Sequence, residues 1–231
     1  MKPTRIAVLG VYRSGSTAVA GALHHLGVDM GPPFFEGFYE SAWLSEQLRR
    51  WWDEPRLREK VSPAKRIRVL AQWIQEREQG GARWVGMKHP LLSLCGEDLV
   101  RAWGLETRFI RCCRPLEDSI DSLKRLGRKV DGEFLQGTLL AALDRFFAGR
   151  EHLAIEFADL MTDPRREVQR LVEYLRIEAG AQQIESAIRF IEPGRKSKVE
   201  IEQGEKLGAG KDPRLGTVWG AIRKAVTGRG K

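Results

Sequence analysis

The stretch that most constrains the fold of this chain is residues 10–17, which read GVYRSGST. It follows an apolar run at residues 6–9 and leads into a run of small apolar residues at 18–23. A short strand, a glycine-bearing turn and a helix start form a unit whose backbone N–H groups can surround an oxyanion. The stretch therefore predicts a phosphate-binding loop, and a tight turn without a ligand is the alternative.

This loop departs from the loop of nucleoside-triphosphate enzymes. Gly10 and Gly15 have the required spacing, but Ser16 and Thr17 stand where that loop has lysine followed by serine or threonine. Arg13 is the only side-chain cation between residues 10 and 17. The change disfavours an ATP- and magnesium-dependent kinase of a small metabolite, which we keep as an alternative function.

Four short apolar runs alternate with helical patterns along the chain. We predict strands at residues 5–10, 83–87, 107–113 and 152–157. Strands separated by helices favour a parallel sheet with right-handed crossovers. The predicted fold is therefore α/β, a P-loop-like doubly wound sheet of about four parallel strands flanked by helices. Ligands of such sheets bind beyond the carboxyl ends of the strands.

The positive charge of the chain is concentrated near its end. The net charge is +8, and residues 194–231 contain ten Lys or Arg against four Asp or Glu. We therefore divide the chain into an α/β domain at residues 1–193 and a basic, glycine-rich segment at 194–231. No nucleic-acid-binding motif accompanies this charge, so we expect no nucleic-acid partner. A non-enzymatic basic protein that binds anions or nucleic acid remains a second alternative.

Other compositional features indicate the setting of the protein. The three cysteines are too few for a disulfide framework or a metal cluster. No apolar run approaches the roughly 18 residues of a membrane span. The basic start of the chain leads into a strand and a glycine loop instead of a secretory core. We expect a cytoplasmic protein.

Cations follow the first three predicted strands. Arg13 lies in the loop after the first strand, Lys88 follows the second and Arg114 follows the third. A phosphoryl-transfer enzyme would normally place an aspartate at such an end to help hold Mg²⁺. Cationic ends favour an anionic donor that is bound by side chains without a metal.

The segment after the third strand, RPLEDSIDS, predicts a second anion site. Pro115 suits the first turn of a helix, and Ser119 and Ser122 then lie one turn apart on one face. Arg114 precedes the helix N-terminus, which itself favours an anion. A solvated helix that carries serines is the alternative interpretation.

These motifs together resemble the sulfotransferases that use 3′-phosphoadenosine 5′-phosphosulfate (PAPS). VYRSGST looks like the 5′-phosphosulfate loop of that family, and the spacing from Arg114 to Ser122 matches its 3′-phosphate motif. Three more stretches resemble its bacterial branch, namely GFYES, WVGMKHP and IEFADLMTDPRREVQRLVEYL. The resemblance spans roughly residues 5–193, and it depends on the order and spacing of the motifs.

The resemblance implies a role for each matching residue. The 5′-phosphosulfate would be held by Arg13, Ser14, Gly15, Ser16 and Thr17. The 3′-phosphate would be held by Arg114 and Ser122. The family often closes the donor site with a late basic loop, for which Arg195, Lys196 and Lys198 are the candidates here.

The resemblance also implies a reaction. A sulfuryl group would pass from PAPS to a hydroxyl or amine of a small-molecule or carbohydrate acceptor, leaving adenosine 3′,5′-bisphosphate, with no metal. Catalysis would use Glu40, Lys88 and Arg13. The family's base is His or Glu, and the GFYES match favours Glu40 over Glu36 and His89. A structural role for Glu40 at a helix start is the alternative.

Overall fold

A computed structural model describes residues 3–35, 38–53, 56–125 and 131–191. Within these ranges the strands and helices follow in the order β1 (Thr4–Leu9), α1 (Ser16–His25), β2 (Phe34–Phe35), β3 (Glu40–Ser41), α2 (Ala42–Trp51), β4 (Trp52–Asp53), β5 (Arg58–Glu59), α3 (Pro63–Gln79), β6 (Trp84–Lys88), a 3-10 helix (Pro90–Cys95), α4 (Gly96–Trp103), β7 (Arg108–Cys113), α5 (Leu116–Arg125), α6 (Gly132–Phe147), β8 (Leu153–Glu156), α7 (Phe157–Thr162), α8 (Pro164–Leu175) and α9 (Ala181–Ile191).

The central sheet has the order β6-β1-β7-β8, and all of its strand pairs are parallel. Side chains alternate between the two faces along β1, because successive residues of a strand point in opposite directions. Ile6 and Val8 enter one hydrophobic cluster, whereas Ala7 and Leu9 enter the other. The sheet is therefore buried on both faces.

Different helices cover the two faces. Residues of α1, α8 and α9 pack in the cluster that contains Ile6 and Val8. Residues of α2, α3, α4 and α6 pack in the cluster that contains Ala7 and Leu9. Helices on both faces of a parallel sheet confirm the predicted doubly wound α/β fold.

The strand order fixes where a ligand can enter. After β1 the chain continues to β6 on one side, and it then returns to β7 on the other side of β1. In open parallel sheets the crevice at such a reversal, beyond the carboxyl ends of the strands, is the usual binding site. Here the segments after β1 and β7 border that crevice.

Some local structure differs from the sequence prediction. The predicted fourth strand ends at Glu156, and Phe157 begins α7 instead of extending the strand. The hairpins β2-β3 and β4-β5 were not predicted, because strands of two residues are too short to show an alternating pattern.

Two further expectations concern membrane-spanning helices and the domain boundary. Among those residues, no helix combines the length and the apolar character that a membrane crossing needs. The predicted domain boundary after residue 193, together with the basic segment, lies outside the described ranges.

Candidate active site

Two residues of the loop between β1 and α1 have left-handed backbone conformations. Gly15 precedes α1 with φ of 88°, and Arg13 has φ of 65°. Glycine is required at position 15 for a second reason, since a Cβ there would lie 2.7 Å from Cδ2 of Phe157. Because position 15 has no side chain, nothing at that position covers the first turn of α1.

Gln136 of α6 forms hydrogen bonds with the backbone of this loop. The Tyr12 N–H donates to Gln136 Oε1 at 3.1 Å, and Gln136 Nε2 donates to the Tyr12 carbonyl at 2.7 Å. Gln136 is fully buried, so these bonds compensate for the burial of its amide. Gln136 is not among the residues that the sequence predicts for the site. The sequence signal that could have identified Gln136 is its position next to Leu135, on the apolar stripe of α6.

Ser14 provides a test of whether the loop suits an oxyanion. Its side chain is 1% exposed, and its hydroxyl has no hydrogen-bond partner among the described residues. A Cβ on Gly10 would lie 2.5 Å from this hydroxyl, so glycine at position 10 leaves room for it. Buried hydroxyls normally have a partner, and a bound phosphate or sulfate oxygen would supply one. The residues of the loop fit such a group.

Lys88, Glu40 and Thr17 meet at the carboxyl end of β6. Lys88 Nζ lies 2.6 Å from Glu40 Oε1 and donates to Thr17 Oγ1 at 3.0 Å. The side chains of Lys88 and Glu40 are only 3% and 14% exposed. The fold thus brings together two predicted catalytic residues and the first turn of α1.

The charges around Glu40 determine its protonation state. Burial alone would raise the pKa of Glu40, but the ammonium of Lys88 and the ring of His89 outweigh it and hold this pKa below its ordinary value of 4.5. The Leu91 N–H donates to His89 Nδ1 at 3.1 Å. In a neutral ring the proton is therefore on Nε2, which lies 3.7 Å from Glu40 Oε2.

Arg13, Arg114 and Ser122 form a second group beside the first. Arg13 Nε donates to Ser122 Oγ at 3.0 Å, and Arg114 donates from a terminal nitrogen to the Arg13 carbonyl at 3.0 Å. The guanidinium of Arg114 lies 4.3 Å from the ring centroid of Phe157, the residue that also packs against Gly15. The two predicted phosphate-binding segments are therefore in direct contact.

A cavity of about 260 Å³ adjoins Arg114. Most of its walls are apolar, and its lining includes Val11, Pro115 and Leu140. Cys113 also lines it, and burial raises the pKa of this thiol to about 11, so the thiol is protonated at neutral pH. The cavity leaves room beside Arg114 for an uncharged part of a ligand.

Not every predicted site residue can be placed. Glu36, Arg195, Lys196 and Lys198 lie outside the described ranges. Ser16 is the first residue of α1 and is buried. Within the described ranges, no three His, Cys, Asp or Glu side chains are grouped so that they could hold a metal ion.

Comparison with known proteins finds similarity only among solved structures. No protein-family model matches the sequence, and neither does any curated protein. A sulfotransferase from Mycobacterium tuberculosis is 15% identical with a TM-score of 0.52, over 81% of this chain and 71% of its own. The sulfotransferase domain of the Synechococcus olefin synthase is 20% identical with a TM-score of 0.50, over 79% of this chain and 76% of its own.

A kinase shares the same architecture. A sugar kinase from Janibacter sp. is 18% identical with a TM-score of 0.50, over 79% of this chain and 98% of its own. At these identities the likeness concerns the fold alone. The chain therefore has the α/β fold found in solved sulfotransferases, and the choice of reaction depends on the residues of the site.

Proposed function

We propose that this chain is a PAPS-dependent sulfotransferase that transfers a sulfuryl group to an acceptor hydroxyl or amine. The observation that supports it best is the convergence of Arg13, Lys88 and Arg114 at the carboxyl ends of three neighbouring strands. Arg13 belongs to the glycine loop, and Lys88 and Arg114 contact that loop. The loop has Ser16 where a nucleoside-triphosphate enzyme has its lysine. Fixed cations at these positions suit a donor that carries two separate phosphates.

The 5′-phosphosulfate would be held by residues 13–17 and Lys88. The buried Ser14 hydroxyl, which has no partner in the described part of the chain, is one donor for it. An ammonium has three N–H groups, and two of those of Lys88 contact Glu40 and Thr17. The third is available for an oxygen of a bound anion.

The 3′-phosphate would be held by Arg114 and Ser122 at the start of α5. A guanidinium offers a planar set of donors that matches phosphate oxygens. Arg114 is already oriented by the Phe157 ring and by the Arg13 carbonyl. The cavity next to Arg114 would accept part of the nucleotide.

The catalytic roles follow from where charge changes during the transfer. When bound, PAPS would supply an activated sulfuryl group whose departure leaves negative charge on the bridging oxygen. Lys88 and the loop N–H groups would stabilise this charge, which lowers the barrier. Glu40 would accept the proton of the acceptor, a contribution of about 10²- to 10⁴-fold for a typical general base.

The pKa of Glu40 favours it over His89 as the base. Because this pKa lies below 4.5, Glu40 is ionised and able to accept a proton throughout the neutral range. His89 Nδ1 already accepts the Leu91 N–H, so the nitrogen that faces Glu40 carries the ring's proton. We assign His89 the role of positioning Glu40.

A thermal-shift panel tests this proposal against a kinase. We expect adenosine 3′,5′-bisphosphate to raise the melting temperature equally with and without EDTA, because the proposed contacts use no metal. Binding at 100 times the dissociation constant stabilises a fold by about 2.7 kcal/mol. A larger shift with ATP and Mg²⁺, abolished by EDTA, would favour the kinase.

A variant links the panel to the site. Arg114→Ala should strongly reduce the shift caused by adenosine 3′,5′-bisphosphate, since it removes the proposed partner of the 3′-phosphate. The shift caused by AMP, which lacks that phosphate, should change little. If Arg114→Ala affected both ligands equally, the assignment of the 3′-phosphate site would be wrong.

A further inference from the structure

A second pocket lies at the opposite edge of the sheet, where β6, β1 and β7 begin. Its volume is about 270 Å³, and it is lined by Thr4, Arg83, Trp84, Arg108, Tyr174, Leu175 and Arg176. Because the strands are parallel, this amino edge is separated from the carboxyl edge by the length of β1, about 20 Å. The pocket is thus distinct from the candidate active site, and the inference drawn from it does not rest on the proposed function.

Two of its arginines are held by aromatic rings. The guanidinium of Arg83 lies 4.7 Å from the centroid of Trp84, and that of Arg108 lies 5.6 Å from the centroid of Tyr174. A guanidinium that stacks on a ring keeps its N–H groups at the edge, where they can donate to a ligand. Both arginines are therefore oriented before a ligand arrives.

The carboxylates that contact these arginines are exposed. Arg83 donates from both terminal nitrogens to the two carboxylate oxygens of Glu178, at 2.5 and 2.6 Å, and Arg108 pairs with Glu151 at 3.3 Å. The side chains of Glu178 and Glu151 are 70% and 80% exposed. Water screens such ion pairs, so an oxyanion in the pocket can compete with these glutamates.

Arg176 supplies the second line of evidence. It follows α8 with φ of 53°, in the left-handed region where glycine is the usual residue. The helix dipole favours a cation near this end, but the last turn of α8 offers unstrained positions for one. An arginine in a strained conformation, on the wall of a pocket with two other arginines, points to a ligand.

We propose that this pocket binds a small oxyanion, a phosphate or sulfate group that is either free or carried by a small organic molecule. Three positive charges, those of Arg83, Arg108 and Arg176, outnumber the two negative charges of Glu178 and Glu151. Guanidinium groups match the geometry of phosphate and sulfate oxygens and form charge-assisted hydrogen bonds with them. The rings of Trp84 and Tyr174 position the donors.

Calorimetric titration with inorganic phosphate at constant ionic strength tests this site. The full chain with Arg13→Ala is the background, because the loop after β1 is a candidate phosphate site of its own. We expect that adding Arg176→Gly weakens one saturable binding event by about tenfold, which corresponds to the loss of one charge-assisted contact. The matched control is Arg165→Gln. Arg165 lies at the other end of α8 and forms an exposed ion pair with Glu185 of α9, so this variant also removes one positive charge.

Arg176→Gly should raise stability while it weakens phosphate binding, so that a loss of binding can be told apart from a failure to fold. Glycine relieves the left-handed conformation at position 176, so without phosphate the melting temperature should rise by about 2 to 4 °C. Arg108→Gln, which leaves the backbone unchanged, should also weaken phosphate binding. Phenyl phosphate as a second probe separates the two sources, since tighter binding than phosphate indicates an organic ester.

Two outcomes would overturn the proposal. One is equal phosphate affinity in the Arg176→Gly and Arg165→Gln variants. The other is the absence of saturable binding in the Arg13→Ala background, which would mean that this pocket binds no oxyanion.

Discussion

At the scale of single residues, the contact between Lys88 and Glu40 is central to the site. Both side chains are nearly buried, and their charged atoms lie 2.6 Å apart. Removal of one partner of such a pair leaves an uncompensated buried charge, which costs about 3 to 5 kcal/mol. The proposed catalytic residues therefore also contribute to stability, and variants of either residue must be assayed for activity and for stability.

The lowered pKa of Glu40 predicts how this contribution depends on pH. A carboxyl whose folded pKa lies below its ordinary value of 4.5 stabilises the fold above that value, and the contribution is lost as the pH falls through the folded pKa. We expect Glu40→Gln to cost about 3 kcal/mol at pH 7. This cost should shrink below about pH 4.5, where Glu40 is protonated in the unfolded chain, and it should be lost as the pH falls through the lower pKa of the folded state. Urea unfolding between pH 7 and 3.5 measures it.

Glu46 provides the control for this experiment. It pairs with Arg50 one helical turn away on the surface of α2. Exposed pairs of this kind contribute little, so Glu46→Gln should change the free energy of unfolding by less than about 0.5 kcal/mol at every pH. If the cost of Glu40→Gln stayed constant down to pH 3.5, the pairing with Lys88 would not be the cause.

At the scale of elements, α6 acts as a support for the loop after β1. Gln136 satisfies both backbone groups of Tyr12, the residue before the strained Arg13. Phe157, the first residue of α7, contacts Gly15 and the guanidinium of Arg114. Two helices that carry no predicted site residue therefore support the loop after β1.

Gln136→Leu tests the support by α6. The substitution keeps the approximate size of the side chain but leaves the N–H and carbonyl of Tyr12 without these partners. An unsatisfied polar group costs about 1 to 3 kcal/mol when it is buried, so we expect a loss of about 2 kcal/mol in unfolding free energy. Affinity for adenosine 3′,5′-bisphosphate, measured by calorimetry, should fall because the loop is no longer fixed.

The comparison variant is Gln169→Leu. Gln169 is exposed on α8 and bonds only within its own helix, to Glu173 at 2.9 Å among the contacts of the described residues. It should leave both stability and nucleotide affinity close to those of the parent chain. If Gln136→Leu lowered stability without affecting nucleotide affinity, α6 would stabilise the fold and have no role in shaping the site.

At the scale of the whole molecule, the basic segment at residues 194–231 lies outside the described ranges. We propose that this segment contributes to donor binding. Arg195 and Lys196, which the resemblance implicates, are the residues to test.

Matched double variants of the full chain distinguish a specific role from general charge. Arg195→Ala with Lys196→Ala should weaken binding of adenosine 3′,5′-bisphosphate by tenfold or more, since charge-assisted contacts to phosphate are strong. Lys211→Ala with Arg214→Ala removes the same charge farther along the segment and should have a small effect. Equal losses in the two variants would assign the effect to overall charge. Calorimetry at two salt concentrations makes the comparison.

The sequence determined the parts of this protein that local patterns encode. The four sheet strands, the glycine loop and the arginine-to-serine segment could be found because each depends on neighbouring residues. The carboxyl-end location of Lys88 and Arg114 followed from the rule for parallel sheets. The structure confirms the fold class, while the roles of these residues remain proposals.

Only the tertiary structure decided which of these parts touch one another. Tyr12 and Gln136 are 124 residues apart in the chain, and Glu40 and Lys88 are 48 apart. Gln136 looks like an unremarkable polar residue in its helix, and Arg176 looks like a surface charge, until the fold places Gln136 against Tyr12 and Arg176 on the wall of a pocket. The physical reason is that contacts between distant segments depend on strand order and helix packing, which no local pattern specifies.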